Sequence, residues 1–144
     1  MDIPKIVQQQ KSFFNSNATK EVNLRIETLK KLKLILKENE DKFYTAIYTD
    51  FKKSQFETYL TELSLIYNEI NDAISNLKKW SKQKRVSTNL ANFPAKSYII
   101  PEPLGIILVI SAWNYPYQLS LIPAISAIAA GNTVVIKPSE IPNN

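Results

Sequence analysis

Two continuous apolar runs constrain this chain more than any other feature. One is Gly105-Ile106-Ile107-Leu108-Val109-Ile110 and the other is Thr133-Val134-Val135-Ile136. Neither alternates apolar with polar residues, so each predicts a strand buried on both faces, the pattern of parallel sheets. Between them, Tyr117 to Ala130 is small, apolar and mostly helix-favouring, and Gly131 follows as a natural C′ residue. Pro123 either kinks this helix or sits in its first turn after Ser120. Together these segments predict a strand–helix–strand unit with a right-handed crossover. A lone parallel pair does not make a complete sheet, so the unit is expected to be a piece of a larger α/β fold.

The preceding residues read as helical. Ile6, Gln10, Phe13 and Phe14 fit a short amphipathic helix, and Val22, Ile26, Leu29, Leu32 and Leu36 repeat at helical spacing with lysines on the opposite side. Asn39 is a plausible N-cap for a helix carrying Phe43, Ile47 and Phe51. The clearest stripe is Leu60, Leu63, Tyr67, Ile70, Ile74 and Leu77, ending at Trp80. Texture changes at "SKQKRVSTNLANFPAKSYIIPEPLG", where Pro94, Pro101 and Pro103 forbid a regular helix. Lys82 to Arg85 reads as a solvated connector, and Ser97 to Ile100 as a possible strand. These shifts divide the chain into a helical region (1–82), an extended connector (83–103) and the beginning of an α/β domain (104–144).

Composition narrows the chemistry. The 144 residues contain no cysteine and no histidine. The chain thus offers no thiolate nucleophile, no disulfide and none of the commonest metal ligand, and no metal site is expected. The net charge of +5 is spread along helical segments, which gives a nucleic-acid site little support. No secretory signal is visible after Met1, and the apolar stretch from Leu104 to Ile136 is interrupted by Asn114, Pro116, Gln118, Pro123 and Asn132. Its pieces fall short of the roughly 20 residues needed to span a bilayer. The expected setting is cytoplasmic.

In open parallel sheets, ligands bind beyond the carboxyl ends of the strands. Ser111-Ala112-Trp113-Asn114 follows the first run and Lys137-Pro138-Ser139-Glu140 follows the second. Asn114 reads either as the N-cap of the next helix, with Pro116 in its first turn, or as an amide donor aimed at a developing oxyanion. Lys137 and Glu140 read either as solvated residues or as a donor and an acceptor gripping adjacent sugar hydroxyls. Trp113 and Tyr115 are more often core aromatics than substrate walls. Gly105 and Gly131 are the only glycines, so the ordinary G-x-G-x-x-G phosphate loop is absent from these residues.

The stretch "PEPLGIILVISAWNYPYQLSLIPAISAIAAGNTVVIKPSE" resembles the aldehyde dehydrogenase superfamily, and most of all its class-three and fatty-aldehyde branch. "AWNYP" and "GNTVVIKPSE" are highly specific in combination, and "FETYLTELSLIYNEINDAISNLKKW" resembles that branch's N-terminal region. The resemblance implies a Rossmann-like domain binding NAD or NADP, of which this chain carries the first strand–helix–strand unit. It implies that Asn114 stabilises the oxyanion of a thiohemiacetal. It implies that Lys137 and Glu140, with Ser139 between them, contact the adenosine ribose, that Ile110, Ser111, Ala112 and Trp113 form the strand end along which the cofactor lies, and that Tyr115 borders the substrate tunnel. The 86–100 region matches strands of the family's oligomerisation subdomain, which implies a homo-oligomer such as a dimer. The family's glycine motif, general-base glutamate and nucleophilic cysteine have no counterpart here.

The resulting expectation is an N-terminal fragment of an enzyme that oxidises aldehydes to carboxylic acids, inactive by itself. Two alternatives come from other classes. One is a non-catalytic interaction module that pairs with a full-length relative through the helical stripe or the 86–100 strand edge. The other is a basic helical nucleic-acid binder, whose binding would be salt-sensitive.

Overall fold

Apolar residues at helical spacing pack the N-terminal region into a helical layer, and the two apolar runs pair beside it. The computed structural model describes residues 2–142; Met1, Asn143 and Asn144 lie outside the described residues. In order, α1 spans Ile3–Asn15, α2 Val22–Glu38, α3 Glu40–Phe51, α4 Gln55–Thr58 and α5 Ser64–Trp80. Strand β1 (Lys84–Val86) pairs antiparallel with β2 (Ser97–Ile99), and β3 (Ile106–Ile110) pairs parallel with β4 (Thr133–Lys137) across α6 (Pro116–Ala129). The strand–helix–strand unit thus forms where the apolar runs predicted it. No helix among the described residues is long and apolar enough to cross a membrane.

Helix α6 is the centre of the packing. It lies against β3 and β4 and also against α2 and α5, which is why its sequence is apolar nearly all round. Ala124, Ala127 and Ala129 are buried with Ile125, and their small side chains let neighbours approach closely. Leu29, Leu63, Ile66, Ile70 and Leu77 join Ile125 in one fully buried cluster. Each such side chain contributes about 1.5–3 kcal/mol relative to exposure.

Several local expectations are corrected. Leu60 is exposed, and the buried stripe runs instead through Leu63, Ile66, Tyr67, Ile70, Ala73 and Leu77. The cause is a π-type turn at Tyr59–Leu63 between α4 and α5, where an extra residue per turn shifts the phase of the face. Asn39 stands at the N-cap position of α3 as expected, but its side chain makes no capping bond there. Its side-chain amide donates back to the Ile35 carbonyl at 2.7 Å, which closes the end of α2. Lys84 and Arg85, read as part of a solvated connector, are exposed and lie on strand β1. Of the two readings of Pro123, the one inside the helix holds, and Pro116 takes the first turn of α6 as expected. Finally, the described residues cover the parallel pair unevenly, although α1 as well as α6 packs against it. Val109 is 7% exposed, whereas Leu108 and Ile110, on the opposite face by the pleat, are 58% and 71% exposed.

The end of α6 is closed as the sequence predicts. Gly131 has φ +90°, its N–H donates to Ile128 O at 2.9 Å, and Asn132 N–H donates to Ala127 O at 3.0 Å. This is the Schellman pattern of two reverse bonds. Arg25 completes the closure. Its guanidinium donates to the carbonyls of Thr19, Lys20 (2.7 Å) and Ala129 (3.2 Å), tying the start of α2 to the end of α6. A Cβ on Gly131 would stand 2.8 Å from Arg25 Cζ. Gly131→Ala therefore strains a left-handed residue by about 1–2 kcal/mol and displaces a guanidinium held by three carbonyls. Denaturant titration is expected to show the variant destabilised by at least that amount.

The start of α6 is closed by a residue 54 positions upstream of Pro116, as its number shows: Glu62, in the π-type turn. Its Oε2 accepts from Tyr117 N–H at 2.9 Å and from Gln118 N–H at 3.3 Å, supplying two of the orphan amides at a helix N-terminus. The side chain is fully buried. Burial pushes its carboxyl above the ordinary carboxylate range, opposed by the two amides and by Lys53. A raised folded pKa means that the group's contribution to stability is fully present below the unfolded value and is lost as pH rises through the folded one. Denaturation midpoints across pH are expected to show that loss in the wild type and not in Glu62→Gln. Glu62→Ala, which orphans both amides, is expected to cost about 1–3 kcal/mol at any pH.

Candidate functional site

The parallel register brings the two predicted clusters together. Ile110 is the Cα partner of Lys137, and Ser111 N–H donates to Lys137 O at 3.0 Å. The carboxyl ends of β3 and β4 therefore stand side by side, with the Ser111–Tyr115 loop leaving one and Pro138–Glu140 leaving the other.

Asn114 is not the helix cap. Tyr115 occupies that position without a side-chain bond, and Glu62 performs the capping from across the fold. The Asn114 side chain is exposed, and its amide makes no hydrogen bond among the described residues. Its main chain, by contrast, is held: Lys53 Nζ donates to Asn114 O at 2.6 Å. The same ammonium lies 3.9 Å from the centre of the Tyr115 ring and 3.7 Å from Glu62 Oε1, a distance for ion pairing but too long for a hydrogen bond. Phe51 stacks on Trp113 at 6.3 Å, and Phe43 meets Tyr117 edge-on at 4.7 Å. Trp113 is half exposed rather than a core residue, and Tyr115 is half-buried beneath Lys53.

On the second strand end, Lys137 Nζ and Glu140 Oε1 form an exposed ion pair at 2.8 Å. The hydrogen bond and charge of Lys137 hold the Glu140 carboxyl below its ordinary range. Such a pair presents a donor and an acceptor to solvent at one place. Ser139 Oγ accepts from Ile141 N–H at 3.3 Å. Ser111 is buried; its Oγ lies 2.6 Å from Ser120 Oγ, and Ser120 also bonds the Pro116 carbonyl. These two hydroxyls join the strand end to the first turn of α6, so the Ser111 side chain is committed to structure while Ala112 and Trp113 face outward.

Lys53 and Glu62 were not among the residues singled out by sequence, and Phe51 was read only as an apolar position of a helix. For Glu62 a signal existed. With the stripe drawn through Leu63, Ile66, Ile70 and Leu77, a carboxylate stands at its edge, and a carboxylate on an apolar face calls for a buried partner. Lys53 carries no comparable signal, because its partners lie 61 positions away. No group of His, Cys, Asp or Glu among the described residues could hold a metal ion.

Comparison with known proteins gives this geometry its context. The family model for the aldehyde dehydrogenase family matches residues 1–142. The chain is 48% identical over 134 residues to the 4,4'-diaponeurosporen-aldehyde dehydrogenase of Staphylococcus aureus, covering 93% of this chain and 29% of that protein. It is 43% identical over 138 residues to aldehyde dehydrogenase family 3 member B3 of Mus musculus, covering 96% and 29% respectively. The chain thus spans less than a third of the length of these curated relatives. Among solved structures, a substrate-bound Staphylococcus aureus AldH superposes with a TM-score of 0.92 at 46% identity, covering 97% of this chain and 31% of that one. An NAD+ complex of a Bacillus cereus aldehyde dehydrogenase superposes at 0.86 with 22% identity, covering 98% and 28%, and shows the shared fold. Because the family model matches nearly the whole of this chain and the corresponding part of a relative's fold is reproduced, this chain belongs to the aldehyde dehydrogenase family.

Proposed function

We propose that these residues form one rim of the active site of an NAD(P)-dependent enzyme that oxidises aldehydes to carboxylic acids. The observation that carries this reading is the side-by-side placement of an uncommitted amide and an exposed donor–acceptor pair at the carboxyl ends of adjacent parallel strands. Asn114 has a fixed main chain and a free side-chain amide, the arrangement a preorganised oxyanion donor needs. Lys137 donates to one hydroxyl of the cofactor's adenosine ribose and Glu140 accepts from its neighbour. Ile110, Ser111, Ala112 and Trp113 border the groove along which the cofactor lies, with Ser139 beside it. Tyr115 faces the substrate with the ring surface that Lys53 does not cover.

NAD or NADP, when bound, supplies the hydride acceptor. The nucleophile and the general base come from outside these 144 residues, which hold no cysteine. The chain alone is therefore expected to produce no aldehyde-dependent NADH or NADPH. The β1–β2 pair exposes Val86, Tyr98 and Ile99 with neighbouring Ile100, a surface suited to a homodimer contact of the complete enzyme.

Steady-state kinetics of the full-length protein test this reading. Asn114→Ala is expected to lower kcat about a hundredfold or more. Glu140→Gln and Lys137→Met are expected to raise KM for the cofactor about tenfold, the loss of one hydrogen bond to a charged group, with kcat nearly unchanged. A normal kcat for Asn114→Ala would overturn the assignment of that residue. An unchanged cofactor KM in both strand-end variants would overturn the assignment of the pair.

A further inference from the structure

The segment from Phe51 to Glu62 is devoted to the loop that carries Asn114. Phe51 stacks on Trp113. Lys53 donates to the Asn114 carbonyl at 2.6 Å and lies 3.9 Å from the centre of the Tyr115 ring. Glu62 accepts from the amides of Tyr117 and Gln118. Trp113, Asn114, Tyr115, Tyr117 and Gln118 are thus each gripped by a short upstream segment, and the grips are linked by the Lys53–Glu62 ion pair.

The Lys53 side chain is only 15% exposed and Glu62 is fully buried, so an ammonium has been brought out of water to meet a carbonyl and an aromatic face. Placing a charge in such surroundings is costly unless it is paired and hydrogen-bonded. Glu62 stands in the π-type turn between α4 and α5, a distortion found disproportionately at functional sites. The Asn114 side-chain amide, in turn, is free of protein partners among the described residues. A donor left free on an anchored backbone is the arrangement that preorganised electrostatic stabilisation demands.

We propose that Lys53 and Glu62 are positioning residues for Asn114. Lys53 locks the Asn114 peptide through its carbonyl, and Glu62 locks both Lys53 and the first turn of α6. The amide is thereby aimed at the aldehyde oxygen as negative charge develops there. This inference rests on the reading of Asn114 as the oxyanion donor. The pair touches neither substrate nor cofactor and acts only through the loop.

The test is a double-mutant cycle in the full-length enzyme. Lys53→Met keeps the apolar stem and removes the donor and charge. It is expected to lower kcat at least tenfold with the KM for NAD or NADP within twofold of wild type. In an Asn114→Ala background the same substitution is expected to have no further effect on kcat, because it acts through an amide no longer present. Glu62→Gln keeps an acceptor for the two amides while removing the ion pair. It is expected to lower kcat about threefold, again only when Asn114 is present, and it carries the test if Lys53→Met does not fold. Equal losses in both backgrounds would overturn the proposal, as would normal turnover in Lys53→Met or, where that variant does not fold, in Glu62→Gln, while Asn114→Ala is impaired. In those outcomes the reading of Asn114 survives. If Asn114→Ala itself turns over normally, that reading falls and the positioning proposal falls with it.

Discussion

One buried carboxylate joins the halves of this structure. Glu62 leaves water to close the N-terminus of α6, a helix that belongs to a different part of the chain. An isolated carboxylate in that position would be prohibitively costly; two amides and a nearby ammonium offset the desolvation. The arrangement holds only if the π-type turn, the start of α6 and the end of α3 are in register together. The helical region is therefore more than a neighbour of the strand–helix–strand unit. It sets where α6 begins, and with that the course of the loop from β3.

The other end of α6 is fixed by equally local chemistry. Gly131 takes the left-handed turn, and Arg25 gathers the carbonyls left at the helix end. With its end tied to α2 and its start to the π-type turn before α5, the helix is held over the parallel pair. The ends of β3 and β4 then present their loops on one edge, where parallel sheets place their ligands. No glycine-rich phosphate loop is needed for that geometry, and none occurs. What the edge offers instead is a side-chain amide and an ion pair, groups suited to recognising hydroxyls and a developing oxyanion.

Much of this was legible in the sequence because it depended on local rules. The two unalternating apolar runs marked β3 and β4 to within a residue, and Gly131 marked the end of α6. Helical spacing located Ile26, Leu29 and Leu36. The errors share a cause, which is that long-range contacts overrode local preference. Leu60 fell off its stripe because a wide turn changed the phase. Asn114 lost its capping role because Glu62 took the start of α6, and the Asn39 side chain turned back to the end of α2 instead of capping α3. The exposed Leu108 and Ile110 show that a run can be apolar throughout while the described residues leave part of it uncovered. Placement of Asn114, Lys137 and Glu140 on one edge followed from topology, and their roles from family resemblance. The anchoring contacts of Phe51 with Trp113 and of Lys53 with Asn114 lay beyond reach because partners 60 or so positions apart leave no periodic trace.

The central claim is that the carboxyl ends of β3 and β4 form one rim of a cofactor and aldehyde site. A crystal structure of the full-length protein with NAD or NADP bound tests it most directly. The account predicts Lys137 Nζ and a Glu140 oxygen within hydrogen-bond distance of the adenosine ribose hydroxyls, and the Asn114 amide facing the space beside the nicotinamide. A cofactor bound away from these strand ends, or an Asn114 amide turned from that space, would contradict it.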